Sequence, residues 1–157
     1  MKELLYIINS FKEEYVELFR PLLINTIEKF EHQFRVKLLQ DYIEFLKITN
    51  GILIDGDEVL GIDNKKVDLK EVYYREHNLV KFSMPDVFIP FSPDGGGNYY
   101  CFDTSSGKII FWQSNFDYQQ NKVQPEVANN TFTEWLKEVM IDWTIENNNE
   151  SLFKEEH

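Results

Sequence analysis

Apolar residues recur at intervals of three and four along the first third of the chain, the spacing of one face of an α-helix. This pattern predicts a first helix over residues 4–18, ended by Pro21, and a second over residues 25–34 that opens with a capping box. A third helix is predicted over residues 41–48, because the following Gly51 can adopt a left-handed conformation at no steric cost. The chain therefore begins with helices.

Short runs typical of β-strands follow Gly51. Residues 52–54 and 58–62 flank the dipeptide Asp55-Gly56, which favours a tight hairpin turn. A capping box at Asp68 predicts a short helix behind it. Three later runs are rich in aromatic and β-branched residues, and they predict an antiparallel meander over residues 87–91, 98–103 and 108–114.

A strong apolar stripe at helical spacing begins after Thr131 and extends to Trp143, which predicts a C-terminal amphipathic helix docked on the core. Residues 147–157 are polar and acidic, and we expect them to form a frayed tail. The patterns together predict an α+β fold with N-terminal helices, an antiparallel-rich β-sheet packed against helices, and this last helix. We expect a single domain over residues 1–157 with its core at about 22–146.

Charge narrows the range of partners. The chain has 27 Asp and Glu against 16 Lys and Arg, a net charge of −11 that repels a phosphate backbone and an anionic membrane surface. Nucleic acid and membranes are therefore not expected as direct partners. An acidic surface can serve solubility alone, or it can bind a basic protein partner, and the net charge does not distinguish the two. Residues 126–157 hold eight of the acidic residues and two Lys, so part of the negative charge belongs to a solvated helix face and tail. The acidic groups in the sheet turns are therefore the more informative ones about a binding partner.

Cysteine usage and the N-terminus suggest a cytoplasmic protein. Cys101 is the only cysteine, which excludes an intrachain disulfide and gives no support to a zinc site. It lies in an aromatic strand, where a small buried hydrophobic residue is expected and a reactive thiolate is not. Charged residues interrupt residues 1–19, so we expect neither a signal peptide nor a membrane span there.

Candidate chemistry is sparse. The Gly-rich loop at residues 94–98 joins two strands and lacks the Lys and Ser/Thr of a phosphate-binding loop. The acidic residues Asp55, Asp57 and Glu58 do not have the spacing of a calcium-binding loop. The three histidines are far apart in the sequence, and none stands next to a Cys or a paired carboxylate at the spacing of metal ligands. We therefore expect no catalytic residue, no metal site and no cofactor.

Several blocks in a fixed order resemble the SUKH superfamily. They comprise Ile27, Glu31, Phe34, Leu38, Tyr42, Phe45, Leu46, Asn50 and Gly51, then residues 88–91 and 94–103, then Gly107 and Trp112, then residues 131–136. The most specific block is the acidic, Gly-rich turn that leads into an aromatic strand ending in Asp103. The family pattern usually has Gly near Arg35 and Pro at Leu39, and this chain has neither.

The resemblance implies a non-catalytic immunity protein. The superfamily takes its name partly from a fungal regulator of cell-wall synthesis, and its bacterial members resemble proteins that neutralise polymorphic toxins, many of them nucleases. A cognate, basic toxin domain would be bound stoichiometrically, with no turnover. The expected contact residues are Asp55, Asp57, Glu58, Asp94, Asn98, Asp103 and Asn115, with Trp112 as the aromatic anchor.

Two alternatives stay open at this point. One is a regulatory interaction module related to cell-wall synthesis that has no toxin partner. The other is a small-ligand binder or enzyme that uses the aromatic sheet as a pocket wall, although aromatic residues in strands more often fill the core between sheet and helix.

Overall fold

Helices and two antiparallel sheets make up the computed structural model, which describes residues 1–155. The helices are α1 (Lys2–Asn9), α2 (Ile24–Phe34), α3 (Gln40–Leu46), α4 (Leu69–Asn78), α5 (Tyr118–Asn121), α6 (Phe132–Trp135) and α7 (Trp143–Asn148). A π-helical segment, Leu136–Asp142, joins α6 to α7, and a 3-10 turn, Asn149–Leu152, follows α7. The strands are β1 (Val16–Leu18), β2 (Ile52–Ile54), β3 (Asp57–Val59), β4 (Phe88–Pro93), β5 (Tyr99–Asp103), β6 (Ile109–Trp112) and β7 (Glu126–Asn129). The predicted α+β class with a C-terminal helix is confirmed.

The strands form a small sheet in the order β1-β2-β3 and a large sheet in the order β4-β5-β6-β7, with every neighbouring pair antiparallel. The β2–β3 hairpin turns at Asp55 and Gly56, whose φ angles of 46° and 90° fit the type of turn that matches strand twist. Two hydrogen bonds tie the sheets together. The Leu60 N–H donates to the Phe91 carbonyl at 2.8 Å, and the Ser92 hydroxyl donates to the Glu58 carbonyl at 2.6 Å.

The main core lies between the helices and one face of the large sheet. Phe91 and Phe102 stack there with ring centroids 4.1 Å apart, and Phe132 of α6 meets both rings edge to face. Tyr42 of α3 is fully buried beside them, and its hydroxyl donates to the Leu60 carbonyl at 2.5 Å. The aromatic residues of the central strands thus fill a sheet–helix core, as such residues usually do.

The opposite face of the large sheet carries a smaller apolar cluster. Because side chains alternate along a strand, Tyr99 and Cys101 face this cluster while Tyr100 and Phe102 face the main core. Burial raises the pKa of the Cys101 thiol well above its ordinary value, and the charge of Glu76 makes a smaller contribution in the same direction. Cys101 is therefore a packed thiol and not an activated nucleophile.

The first predicted helix ends earlier than its periodicity suggested. Helix α1 closes at Asn9, and residues 16–18 instead form β1, which pairs with β2 through Val16–Ile54 and Leu18–Ile52. Pairing with a distant strand outweighs a weak local helical preference. Helix α2 likewise begins at Ile24, one residue before the predicted cap, and Leu23 at its N-cap position makes no side-chain capping bond.

Local capping signals were more reliable elsewhere. The Asp68 carboxylate accepts the Lys70 N–H at 3.1 Å at the start of α4, and the Thr131 hydroxyl accepts the Glu134 N–H at 3.1 Å at the start of α6. Strand β7 was not predicted, because it is an edge strand whose residues are mostly exposed and show no apolar alternation.

The segment that follows α7 is anchored at Leu152 and Phe153 and does not form the frayed tail that its composition predicted. Leu152 is fully buried, and Phe153 meets Phe11 edge to face with ring centroids 5.4 Å apart. The Lys12 N–H donates to the Leu152 carbonyl at 2.7 Å, and the Lys154 N–H donates to the Ser10 carbonyl at 2.8 Å. Two apolar residues suffice to anchor an otherwise polar segment. Residues 156–157 of the predicted tail lie outside the described residues.

Candidate partner-binding groove

A groove opens where the end of β4 and its turn meet the C-terminal helix. We call it the acidic groove; it has a volume of about 420 Å³ and is lined by Asp57, Ser92, Pro93, Asp94, Tyr100, Trp135, Glu138, Val139, Met140 and Trp143. Strand β3 supplies Asp57, the β4–β5 turn supplies Asp94, and the π-helical segment supplies Glu138. Three carboxylates from three separate elements therefore surround an apolar floor.

Two of these carboxylates are held in place by hydrogen bonds. Oδ1 of Asp94 accepts the N–H groups of Gly96 at 2.7 Å and Asn98 at 3.0 Å, which explains the acidic residue before the glycines. Oε2 of Glu138 accepts from Nδ2 of Asn129 at 2.8 Å. The carboxylates are thus positioned before any partner arrives.

No Lys or Arg within the described chain forms an ion pair with the groove carboxylates. The ion pairs of residues 1–155 are Lys66–Glu17, Lys70–Asp63 and Lys137–Asp142. Much of Asp57 is exposed, but partial burial of its carboxyl raises its pKa. The charge of Asp55 adds a smaller rise. Burial also raises the pKa of Tyr100, with smaller contributions from the charges of Asp94 and Asp57. The groove therefore holds uncompensated negative charge.

Aromatic side chains form the floor and one rim of the groove. The rings of Tyr100 and Trp135 lie 5.3 Å apart, and Trp135 is 2% exposed with no acceptor for its indole N–H among the described residues. Trp143 is 57% exposed, a large value for tryptophan. An exposed aromatic ring beside uncompensated carboxylates is typical of a surface that binds another molecule.

The π-helical segment places Trp143 at the groove. An uninterrupted α-helical stripe from Phe132 would bury residue 143, and this was the sequence expectation. Instead Thr144, one residue later, is 2% exposed and Trp143 faces outward. Because an i→i+5 turn accommodates one extra residue, the segment shifts the buried face by one position.

The structure brings several of the predicted contact residues together. Asp57 and Asp94 line the acidic groove, and Asp55 lies beside Asp57 in the hairpin turn. Asn98 joins them, since it bonds to Asp94 and its Oδ1 accepts the Ser114 N–H at 3.2 Å. Asn115, the residue after Ser114, is exposed near the same turn.

The other predicted residues lie apart from the groove. Glu58 alternates with Asp57 along β3, so its side chain is directed to the other face, where partial burial raises its pKa. Asp103 stands at the far end of β5; burial opposes ionisation there, but hydrogen bonds from Ser105 and Ser106 prevail and lower its pKa. This is the arrangement of a turn-stabilising carboxylate.

Trp112, the predicted anchor, is 3% exposed and lies in the apolar cluster on the opposite sheet face. It borders a second cavity of about 910 Å³, which we call the second-face groove and which Lys81, Tyr118 and Lys122 also line. The indole N–H of Trp112 has no acceptor among the described residues. Sequence reasoning missed Tyr100, Glu138 and Trp143 as groove residues, because strand alternation and helix register decide which side they face.

Two further features of the described residues bear on other functions. None of the helices in residues 1–155 is both long and apolar enough to span a bilayer. Within the same residues, no group of three His, Cys, Asp or Glu side chains is arranged to hold a metal ion.

Comparison with known proteins identifies the family. A crystal structure of a protein from Pseudomonas syringae pv. tomato has a similar fold, with a TM-score of 0.70 and 18% sequence identity over 90% of this chain and 99% of that chain. No curated protein matches this chain. The sequence model of the SMI1-KNR4 cell-wall family, one of the SUKH families, matches residues 24–136, well over half of the chain. The protein therefore belongs to the SMI1-KNR4 cell-wall family of the SUKH superfamily.

Proposed function

We propose that this protein is a non-catalytic immunity protein that binds a basic toxin domain at the acidic groove and neutralises it stoichiometrically. The observation that carries the proposal is the set of three carboxylates around an aromatic floor, two of them held in place by hydrogen bonds, with no cation paired to them among the described residues. Membership of the SUKH superfamily supports a binding role, because the family is generally non-catalytic.

The proposed mechanism is occlusion. Negative charge concentrated in the groove accelerates encounter with a basic surface, and the exposed ring of Trp143 then supplies a desolvated contact at the centre of the interface. A nuclease toxin needs a basic surface to hold the phosphate backbone of its substrate. Carboxylates bound to that surface would exclude the substrate, so inhibition requires no turnover.

The test uses the toxin domain encoded beside this gene, purified as a catalytically inactive variant. Asp57→Lys combined with Glu138→Lys reverses two groove charges, and Glu28→Lys combined with Glu44→Lys is the matched control on exposed positions of α2 and α3. We expect the groove variant to bind more than about tenfold more weakly, since single close charge pairs contribute about 1.5 kcal/mol or more. The control should bind like the wild type.

Protection of cells that express the active toxin gives a second readout. The groove variant should fail to protect while keeping the circular dichroism spectrum and thermal midpoint of a folded protein. Equal binding by the groove and control variants would refute the proposed surface. A neighbouring gene without toxin architecture would favour a regulatory interaction module, which could use the same groove.

A small-ligand role is a second candidate, favoured by the second-face groove. Its volume of about 910 Å³ lies within the range of ligand pockets, and Trp112 there has an indole N–H without an acceptor. Lys81 and Lys122 would select an anionic ligand with an apolar body. Thermal-shift screening with carboxylate ligands tests this candidate: stabilisation that Lys81→Ala and Lys122→Ala abolish would support it, and no stabilisation by any of them would remove it.

A further inference from the structure

We infer that the acidic groove receives one arginine side chain of the partner, with the guanidinium between its carboxylates and against its aromatic rings. This inference rests on the proposed function and specifies the chemistry of the contact. It concerns a single anchor residue, because the volume of about 420 Å³ suits one long side chain and not a folded element.

The charges of the groove are not balanced by a cation of the described chain. Asp57, Asp94 and Glu138 come from three elements, and the described chain supplies no lysine or arginine that pairs with them. Each is pre-positioned or partly desolvated. Oε2 of Glu138 is occupied by Asn129, which leaves Oε1 free to accept from a partner. Fixing the acceptors in advance lowers the entropic cost of binding.

The aromatic walls favour arginine over lysine. A guanidinium is planar, stacks on aromatic faces, and can donate to two carboxylates at once, whereas an ammonium is a compact and strongly hydrated charge. The groove offers both kinds of contact, since Tyr100 and Trp143 lie beside the carboxylates. Arginine can therefore satisfy the rings and the acids together.

An independent observation points to a bound peptide segment. Trp135 is 2% exposed and lines the groove, but its indole N–H has no acceptor among the described residues. A buried donor without a partner costs stability, so it needs an acceptor. The backbone carbonyl next to an inserted arginine would provide one once the Trp135 ring shifts, because the indole nitrogen is closed to solvent in the free protein.

The probe for the test is N-acetyl-arginine amide, with the lysine and citrulline amides as comparisons. Citrulline has nearly the shape of arginine but no charge. The protein contains three tryptophans, and the indole N–H signals can be followed by NMR after assignment with Trp→Phe variants. We expect arginine amide to shift the signals of Trp135 and Trp143 saturably, lysine amide to do so more weakly, and citrulline amide to have no effect. Trp112, on the opposite sheet face, should not respond.

Matched variants locate the effect. Asp57→Asn with Glu138→Gln should weaken the response to arginine amide at least about tenfold, and Glu28→Gln with Glu44→Gln should leave it unchanged. Equal responses of the two double variants, equal shifts with lysine amide, or a response confined to Trp112 would each overturn the inference.

Failure of the inference can be told apart from failure of the proposed function. If arginine amide does not bind but charge reversal in the groove abolishes toxin binding, only the arginine anchor is refuted. If arginine amide binds as expected but groove reversal leaves toxin binding intact, the arginine site stands and the groove is not the toxin-binding surface.

Discussion

Leu152→Ala tests the packed segment that follows α7. Leu152 is fully buried, and its carbonyl accepts the Lys12 N–H at 2.7 Å. The substitution removes three side-chain carbons worth about 0.8 kcal/mol each in transfer energy, and the cavity left behind adds to this. Because a segment near the end of the described chain can relax more than a central strand, we expect the lower part of the usual range, about 2–4 kcal/mol.

Urea unfolding followed by tryptophan fluorescence measures this loss. With a slope of about 2 kcal/mol/M, the middle of the range for small proteins, the midpoint should fall by about 1–2 M while the slope stays constant. Lys154→Ala is the control, since that side chain is exposed and only its backbone N–H bonds to Ser10. If Leu152→Ala moved the midpoint no more than the control, the segment would be frayed as its composition suggested, and the packing argument would be refuted.

Three further substitutions test the core, a close backbone approach and the groove. Tyr42→Phe leaves a buried carbonyl without its hydroxyl donor and should cost about 1–3 kcal/mol in urea unfolding; no loss would contradict the bond. Gly61→Ala places a Cβ 2.3 Å from the Asn50 backbone oxygen and should lower the free energy of unfolding by more than about 3 kcal/mol. Gly96→Ala is the control, because its Cβ would lie 3.5 Å from the nearest atom, Oδ1 of Asp94, and it should cost little in the same assay. Burial, and to a smaller extent the charge of Asp55, raises the pKa of Asp57 in the folded protein. Ionisation of Asp57 therefore lowers the free energy of unfolding as the pH rises through that pKa. Asp57→Asn removes this cost and should stabilise the protein at neutral pH. The thermal midpoints of Asp57→Asn and wild type should converge below the ordinary carboxyl pKa, and a gap that stayed constant with pH would contradict this.

Features fixed by neighbouring residues were predictable from the sequence. The hairpin at Asp55-Gly56 and the caps at Asp68 and Thr131 need only local turn and capping chemistry. Strand β1 was not predictable in this way, because residues 16–18 pair with β2 far along the chain. The burial of Leu152 was missed for the same reason, since the residue that bonds to its carbonyl, Lys12, lies near the other end of the sequence.

The acidic groove was half predictable. Asp57 and Asp94 stood out because acidic residues in turns are exposed and charged, and the structure places both in one groove. Glu138 and Trp143 did not stand out. Their orientation depends on the π-helical segment, and the apolar spacing from Phe132 onward fits an ordinary α-helix equally well.

The π-helical segment makes the outer wall of the groove sensitive to chain length. Removing one residue between Leu136 and Asp142 would allow an ordinary α-helix in which Thr144 still faces inward and Trp143 outward, because the segment holds one residue more than α-helical spacing needs. Trp143 would turn inward and Thr144 outward only if the segment became α-helical with every residue kept, which rotates everything beyond it by about 100°. A single deletion in this segment would thus reshape the groove wall around Glu138 while leaving Trp143 outward and the core in place, a route to new specificity that substitution at one position does not offer.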